Sequence, residues 1–326
     1  MAHLPTIADV RTAAARIRRE AVRTPLLSSP LLDDVAGTRV LLKCETLQRT
    51  GSFKFRGAYN AVAALDPKER ERGIVAVSSG NHAQAIAEAA RLFGLRSTIV
   101  MPGDAPALKR DRTERSGGHV LTYDRAHEDR EAVAARFIAE HGGVLVHPYN
   151  DPDVIAGQGT IGIEIAEQCA EQRLVPDAVL VPCGGGGLSA GVGLALRSEV
   201  PGIGVFLVEP AGFDDYGRSL AEGVPVANKG TAGSVCDALL APAPGAIGFA
   251  INRANHAHGV VVSDEEALAA VAFAFRELKL VVEPGGAVGL AAMLARRLPD
   301  LAGRTVAVVL SGGNVEPATL HRALAA

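Results

Sequence analysis

The sequence has no tryptophan and only 4% aromatic residues, so it lacks the stacking platform that single-stranded nucleic acid requires. It also lacks an excess of one charge. Its 33 Lys and Arg stand against 36 Asp and Glu, a net charge of −3, which excludes polyanion binding as a main role. No apolar run approaches the ~20 residues of a membrane-spanning helix. Residues 1–20 mix alanine with charges of both signs and contain no apolar signal core, so a cytoplasmic protein with no membrane or nucleic-acid partner is expected. The four cysteines, Cys44, Cys169, Cys183 and Cys236, are widely spaced. That spacing argues against both a zinc site and a disulfide framework. Aliphatic residues, in contrast, are plentiful. A chain of 326 residues that is 48% hydrophobic can bury a large core, in two domains or one large α/β unit.

From residue 39 onward, short β-branched runs alternate with alanine-rich stretches of helical period. Strands are predicted over 40–44, 74–78, 97–101, 120–123, 144–146, 178–181, 205–208, 260–262 and 306–310. Helices are predicted over 53–65, 82–93, 107–116, 128–140, 160–171, 189–197, 265–278 and 287–296. The strands are apolar throughout rather than alternating, the pattern of a parallel sheet covered on both faces. The fold class is therefore α/β, with doubly wound, mostly parallel sheets. Residues 66–151 read as a smaller α/β domain inserted into a larger one built from 1–65 and 152–326. Residues 223–244, rich in Gly, Pro and Ala, form a connection long enough to suggest a functional loop.

In such sheets the chemistry sits in loops after the strands. Gly184, Gly185, Gly186 and Gly187 follow one strand directly and precede a helix. Consecutive glycines let backbone N–H groups converge beside a positive helix end, making a phosphate cradle. The alternative is a flexible turn, which would cost backbone entropy without return. The loop is neither a Walker A nor a dinucleotide fingerprint. In the second loop, residues 50–57, Ser52 is placed to cap a helix with Lys54 in its first turn. There the helix dipole opposes a cation, which suits an imine-forming lysine of lowered pKa. The third loop, Ser78-Ser79-Gly80-Asn81-His82, offers N–H groups and hydroxyls to a carboxylate, and reads equally as a helix cap at Ser79 or Asn81. The fourth, Ser311-Gly312-Gly313-Asn314, taken singly is a turn. Together they suggest pyridoxal phosphate, which needs an imine lysine, a phosphate site and a partner for its ring nitrogen.

The chain resembles the fold-type II pyridoxal-phosphate enzymes of the threonine dehydratase and serine racemase family. The blocks that carry the resemblance are KCETLQRTGSFKFRGA at 43–58, SSGNHAQA at 78–85, GQGTIGIEI at 157–165, PCGGGGLSAG at 182–191 and EPGGAVGLAA at 283–292. The resemblance implies that Lys54 is the Schiff-base lysine and proton shuttle. It places Phe53 beside the pyridine ring, Asn81 at the phenolic oxygen, Gly184 to Gly187 and Leu188 at the phosphate, and Ser311 at the pyridine nitrogen. Ser78, Ser79, Gly80, Asn81 and His82 would hold the substrate carboxylate. The implied reaction is α,β-elimination from L-threonine, L-serine or a related 3-hydroxy amino acid. Lys54 removes the α-proton, the β-hydroxyl leaves as water, and a 2-oxo acid and ammonia are released. Ser79 would supply a hydroxyl on the opposite face, so racemisation of serine or hydroxyaspartate, with elimination as a side reaction, is the alternative. A pocket that only senses an amino acid would have no need of both Lys54 and Ser311.

Glu209, the Phe213 carbonyl and Asp215 resemble the Mg²⁺ or Ca²⁺ site of the racemase-like members, and fit a solvated acidic turn equally well. The family also implies a homodimer. Three features depart from the family pattern: Cys236-Asp237-Ala238 replaces Ala-Asp-Gly, Tyr149 follows His147-Pro148, and no regulatory extension follows Asn314. Feedback control through such an extension is not expected. His119, His127, His141, His256 and His258 read as surface or core imidazoles, and Cys183 as a thiol packed under the glycine turn.

Overall fold

The computed structural model describes residues 3–105, 107–230 and 232–325. Their strands are β1 (Leu26–Ser28), β2 (Arg39–Cys44), β3 (Ile74–Val77), β4 (Ser97–Pro102), β5 (Gly118–Tyr123), β6 (Val144–Leu145), β7 (Ala178–Pro182), β8 (Gly204–Pro210), β9 (His258–Val262) and β10 (Thr305–Leu310). One six-stranded sheet has the order β1-β2-β10-β7-β8-β9, and a four-stranded sheet the order β5-β4-β3-β6. All pairings are parallel except β1 against β2. The α/β class with mostly parallel sheets holds.

The pleat explains why the central strands are apolar on both faces. In β10, Val306, Val308 and Leu310 join a core beneath the helices Asp264–Arg276 and Pro284–Leu294. Ala307 and Val309 point the other way, into a core under the helices Pro152–Glu171 and Gly187–Glu199. Side chains of both parities are thus buried, and no polar alternation survives. Among the described residues, no helix is long and apolar enough to cross a membrane.

The helix Pro152–Glu171 starts eight residues before the predicted 160. Gly157, Gly159 and Gly162 lower its intrinsic propensity, yet contacts require them. A Cβ on Gly157 would lie 2.6 Å from the Gly57 Cα, and one on Gly162 2.7 Å from the Val192 carbonyl. The glycines permit close helix contact, and that packing outweighs propensity. Strand β1 and the helices Ile7–Ile17, Pro30–Ala36, Pro67–Glu71, Asp215–Glu222 and Ala246–Ala254 are additional to the predicted elements.

A buried charge cluster fixes the helix Lys54–Ala64 in this frame. The fully buried Arg56 donates to Glu45 at 2.8 and 2.9 Å and to Glu164 at 2.7 and 2.8 Å. It also donates to Thr160 and to the Val22 carbonyl. Buried Lys43 donates to Glu164 at 2.6 Å and to Gln168 at 2.8 Å. Breaking such a network from one side leaves unpaired buried charge. The substitution Arg56→Met is therefore expected to cost about 3–5 kcal/mol in urea unfolding. Arg304→Met, which breaks only an exposed pair with Asp177, is expected to cost less than about 1 kcal/mol.

Candidate active site

The loops following β2, β3, β7 and β10 meet around a cavity of about 480 Å³. Phe53, Lys54, Ser78, Ser79, Gly80, Asn81, His82, Gly184, Gly185, Gly186, Gly187, Leu188 and Ser311 all line it. Glu209, Phe213 and Asp215 do not.

Lys54 is the first residue of the helix Lys54–Ala64. The predicted Ser52 cap is not formed. Phe53 is the capping residue, with no side-chain bond, and the buried Ser52 hydroxyl has no partner among the described residues. Instead, Gln158 on a neighbouring helix accepts from the Gly57 N–H at 3.1 Å, satisfying one of the helix's free donors without adding negative charge. The Lys54 ammonium donates to the Pro148 carbonyl at 2.8 Å. Burial pushes its pKa down to about 8, against the opposing pull of Glu283.

Three of the four loop glycines, Gly185, Gly186 and Gly187, have space for nothing but hydrogen at the α-carbon. A Cβ on Gly185 would lie 2.3 Å from the Tyr149 ring, and one on Gly187 2.7 Å from the Tyr149 carbonyl. At Gly186, where φ is +86°, it would meet the Tyr216 hydroxyl at 2.1 Å. Tyr149 therefore forms the bed of the loop. Among the described residues, no backbone or side-chain acceptor takes the N–H groups of Gly184 through Leu188. Five adjacent donors are left for a ligand, at the start of the helix Gly187–Glu199.

The loop after β3 leads into the helix Asn81–Leu92. Its capping residue is Gly80, and neither Ser79 nor Asn81 caps it through a side chain. The Ser78 hydroxyl accepts from the Gly80 N–H at 3.2 Å. His82 is buried with Nε2 2.9 Å from the Val146 carbonyl. Burial and the nearby Lys54 charge push its pKa down to about 3. It is a neutral ring and offers no cation to a carboxylate.

Glu283 was not singled out by the sequence pattern. It lies at the N-terminus of the helix Pro284–Leu294 and lines the cavity. Burial, then the Asp237 charge, pushes its pKa up to about 7, while the Asn81 hydrogen bond, Lys109 and Lys54 pull it down. Its carboxylate accepts from Asn81 Nδ2 at 2.6 Å. The only signal for it is the run of glycines around it. A Cβ on Gly312 would lie 2.2 Å from Glu283 Oε1, and one on Gly286 2.6 Å from the Gly312 carbonyl.

Glu209 and Asp215 are fully buried, so the solvated acidic turn is excluded. The Glu209 carboxylate accepts from the N–H groups of Tyr216 and Gly217 at 2.9 and 2.8 Å. Burial pushes Glu209 up to about 8 and Asp215 up to about 6. One Asp215 oxygen accepts from Asn228 at 2.6 Å, and the other has no partner among the described residues. Among the described residues, no three His, Cys, Asp or Glu side chains are grouped to hold a metal.

Comparison with known proteins gives one consistent outcome. The family described as "Pyridoxal-phosphate dependent enzyme" matches residues 17–312. The L-threo-3-hydroxyaspartate ammonia-lyase of Saccharomyces cerevisiae is 43% identical over 96% of this chain and 94% of its own. The L-threonine ammonia-lyase of Thermotoga maritima is 40% identical over 97% of this chain and 77% of its own. The solved structure of maize serine racemase superposes with a TM-score of 0.92 at 37% identity, covering 99% of this chain and 98% of that one.

Two outcomes are expected from the geometry. Gly185→Ala drives a methyl into the Tyr149 ring and displaces the unpaired donors of the loop; if these hold the phosphate through charge-assisted hydrogen bonds, pyridoxal phosphate uptake should weaken by at least about tenfold. Gly103→Ala, whose nearest neighbour would be 3.7 Å away, should leave uptake unchanged; titration of the visible band measures both. Only the neutral amine attacks an aldehyde. The rate of cofactor uptake by the apo-protein should therefore rise with pH through about 8, well below the range of an ordinary lysine.

Proposed function

We propose that this chain, which belongs to the family of pyridoxal-phosphate dependent enzymes, is an ammonia-lyase that eliminates the 3-hydroxyl of a short 3-hydroxy amino acid. The observation that carries this reading is the convergence of Lys54, an amine of lowered pKa, with five unpaired backbone donors in one cavity. The amine suits an aldehyde and the donors suit a phosphate, so both ends of the cofactor are provided for. When bound, pyridoxal phosphate supplies the electron sink for charge developing at the substrate α-carbon.

In this reading Gly184, Gly185, Gly186, Gly187 and Leu188 hold the phosphate, and Phe53 flanks the ring. Ser311, buried at the end of β10, offers a neutral hydroxyl to the ring nitrogen. Asn81 donates to the phenolic oxygen. The N–H groups and hydroxyls of residues 78–82 hold the substrate carboxylate, with His82 contributing shape and no charge. Lys54 takes the α-proton, the 3-hydroxyl departs as water, and hydrolysis yields a 2-oxo acid and ammonia. L-threo-3-hydroxyaspartate and L-threonine, the substrates in the relatives' names, are the first two candidates, with L-serine the third. A racemase is the second reading, favoured by Ser79, which lines the cavity and is not engaged in capping the helix it precedes. Residues 66–151 serve as a smaller domain beside one made of 1–65 and 152–326. The protein is taken to act as a cytoplasmic homodimer. Glu209, Asp215 and the Phe213 carbonyl suit Mg²⁺ or Ca²⁺, because the unpartnered Asp215 oxygen and two raised carboxyl pKa values are both relieved by a hard cation.

The test incubates purified protein, pyridoxal phosphate and Mg²⁺ with the three amino acids, following 2-oxo acid and substrate chirality together. Oxo acid that disappears in Lys54→Ala is the expected result. Inversion without oxo acid, lost in Ser79→Ala, would put the racemase first. Three inert substrates with the cofactor bound would sink the elimination reading.

A further inference from the structure

Asn81 can serve an oxygen acceptor in the cavity only if its amide nitrogen faces that acceptor, and a primary amide can present either end. The structure settles the orientation by a chain of hydrogen bonds that begins outside the cavity. The Thr50 carbonyl can only accept, so the Asn314 atom 2.8 Å from it is Nδ2. The second proton of that nitrogen goes to Asn81 Oδ1, also at 2.8 Å. With its oxygen taken, Asn81 turns Nδ2 to Glu283 Oε1 at 2.6 Å. One Asn81 proton is used there. The other is left, on a residue that lines the cavity.

Both holders are built in. A Cβ on Gly51, where φ is +75°, would lie 2.7 Å from Asn314 Oδ1. A Cβ on Gly312 would lie 2.2 Å from Glu283 Oε1. Glycines on two separate loops thus make room for the two residues that grip Asn81, one at each end of its amide. The geometry points to Glu283 and Asn314 as positioning residues that lock Asn81 as a donor toward the cavity, committing that spot to an anionic oxygen. The inference rests on the reading of Asn81 as the partner of the cofactor's phenolic oxygen, and adds what enforces it.

The two locks are redundant. Without Asn314, Glu283 in its ionised form, a pure acceptor, still demands the nitrogen end of Asn81, so the titrations are run above about pH 8. With glutamine at 283, Asn314 still occupies the oxygen end. Only when both are altered can Asn81 turn and set its carbonyl oxygen against an anionic oxygen.

The experiment titrates pyridoxal phosphate into apo-protein and records its dissociation constant and visible band for wild type, Glu283→Gln, Asn314→Ala and the double variant. Circular dichroism confirms folding, and Glu283→Gln/Asn314→Ser replaces the double variant if that one fails to fold. Each single change is expected to weaken binding by no more than about twofold, and the double by about tenfold or more with a shifted band, the cost of a mispaired buried polar group. Additive losses, or an unshifted band in the double variant, would overturn the lock. Wild type that takes up no pyridoxal phosphate would instead defeat the cofactor reading itself.

Discussion

Everything at the site depends on where the helix Lys54–Ala64 begins, and a buried ion cluster sets that position. Arg56 sits two residues beyond Lys54 and makes four hydrogen bonds to the carboxylates of Glu45 and Glu164. Glu45 immediately follows β2, and Glu164 lies on the helix Pro152–Glu171. The lysine-bearing turn is therefore pinned to the six-stranded sheet on one side and to the longest helix on the other. Buried pairs of this kind are weak evidence for net stability. Their geometric demand is strong, because a planar guanidinium with two carboxylates on it has very few permissible placements.

The same placement explains how a lysine can be buried at the positive end of a helix. The usual relief would be an acidic side chain in the first turn, and the helix has none. Gln158 satisfies the Gly57 N–H with a neutral oxygen instead. Lys54 is left with a backbone carbonyl from Pro148 and the more distant charge of Glu283. Desolvation then outweighs attraction and the amine deprotonates more readily. A carboxylate cap in place of Gln158 would hold the proton on Lys54 and blunt its nucleophilicity.

Much of this was legible in the sequence. Apolar strands and alanine-rich helices announce the doubly wound sheets, and the four loops stand out because glycine, serine and asparagine sit where strands end. Less legible were features created by close approach. The first two turns of the helix Pro152–Glu171 are obscured by glycines whose purpose is a contact more than 90 residues away in sequence, as at Gly57. Ser52 has the composition of a cap, yet the helix begins one residue later, with Phe53 at the cap position, and the Ser52 hydroxyl finds no partner among the described residues. Glu283 was inside a recognised block, but its significance lies in Asn81 and Gly312, both from other loops. Local patterns reveal local structure, and a carboxylate becomes notable only when the fold closes over it.

The cavity divides its polar work by charge. The loop at Gly184 to Leu188 offers bare N–H donors, Asn81 is held as a donor, and His82 is kept neutral. Burial pushes the Lys54 amine down to about 8 and the Glu283 carboxyl up to about 7, so neither is a strong fixed charge. In the proposed reading, fixed dipoles carry most of the binding of anions, and such dipoles need no reorganisation as charge moves during reaction. A cationic residue at 82 would have held a substrate carboxylate more firmly, but its charge would also have opposed protonation of Lys54 across the same small space and made that amine a weaker proton acceptor. Neutrality at His82 is thus coupled to the proton-accepting role proposed for Lys54. That coupling extends to either reaction, elimination or racemisation, since both begin with loss of the α-proton. What would separate them is the second base that inversion requires, and Ser79, which lines the cavity free of capping duty, is the proposed candidate.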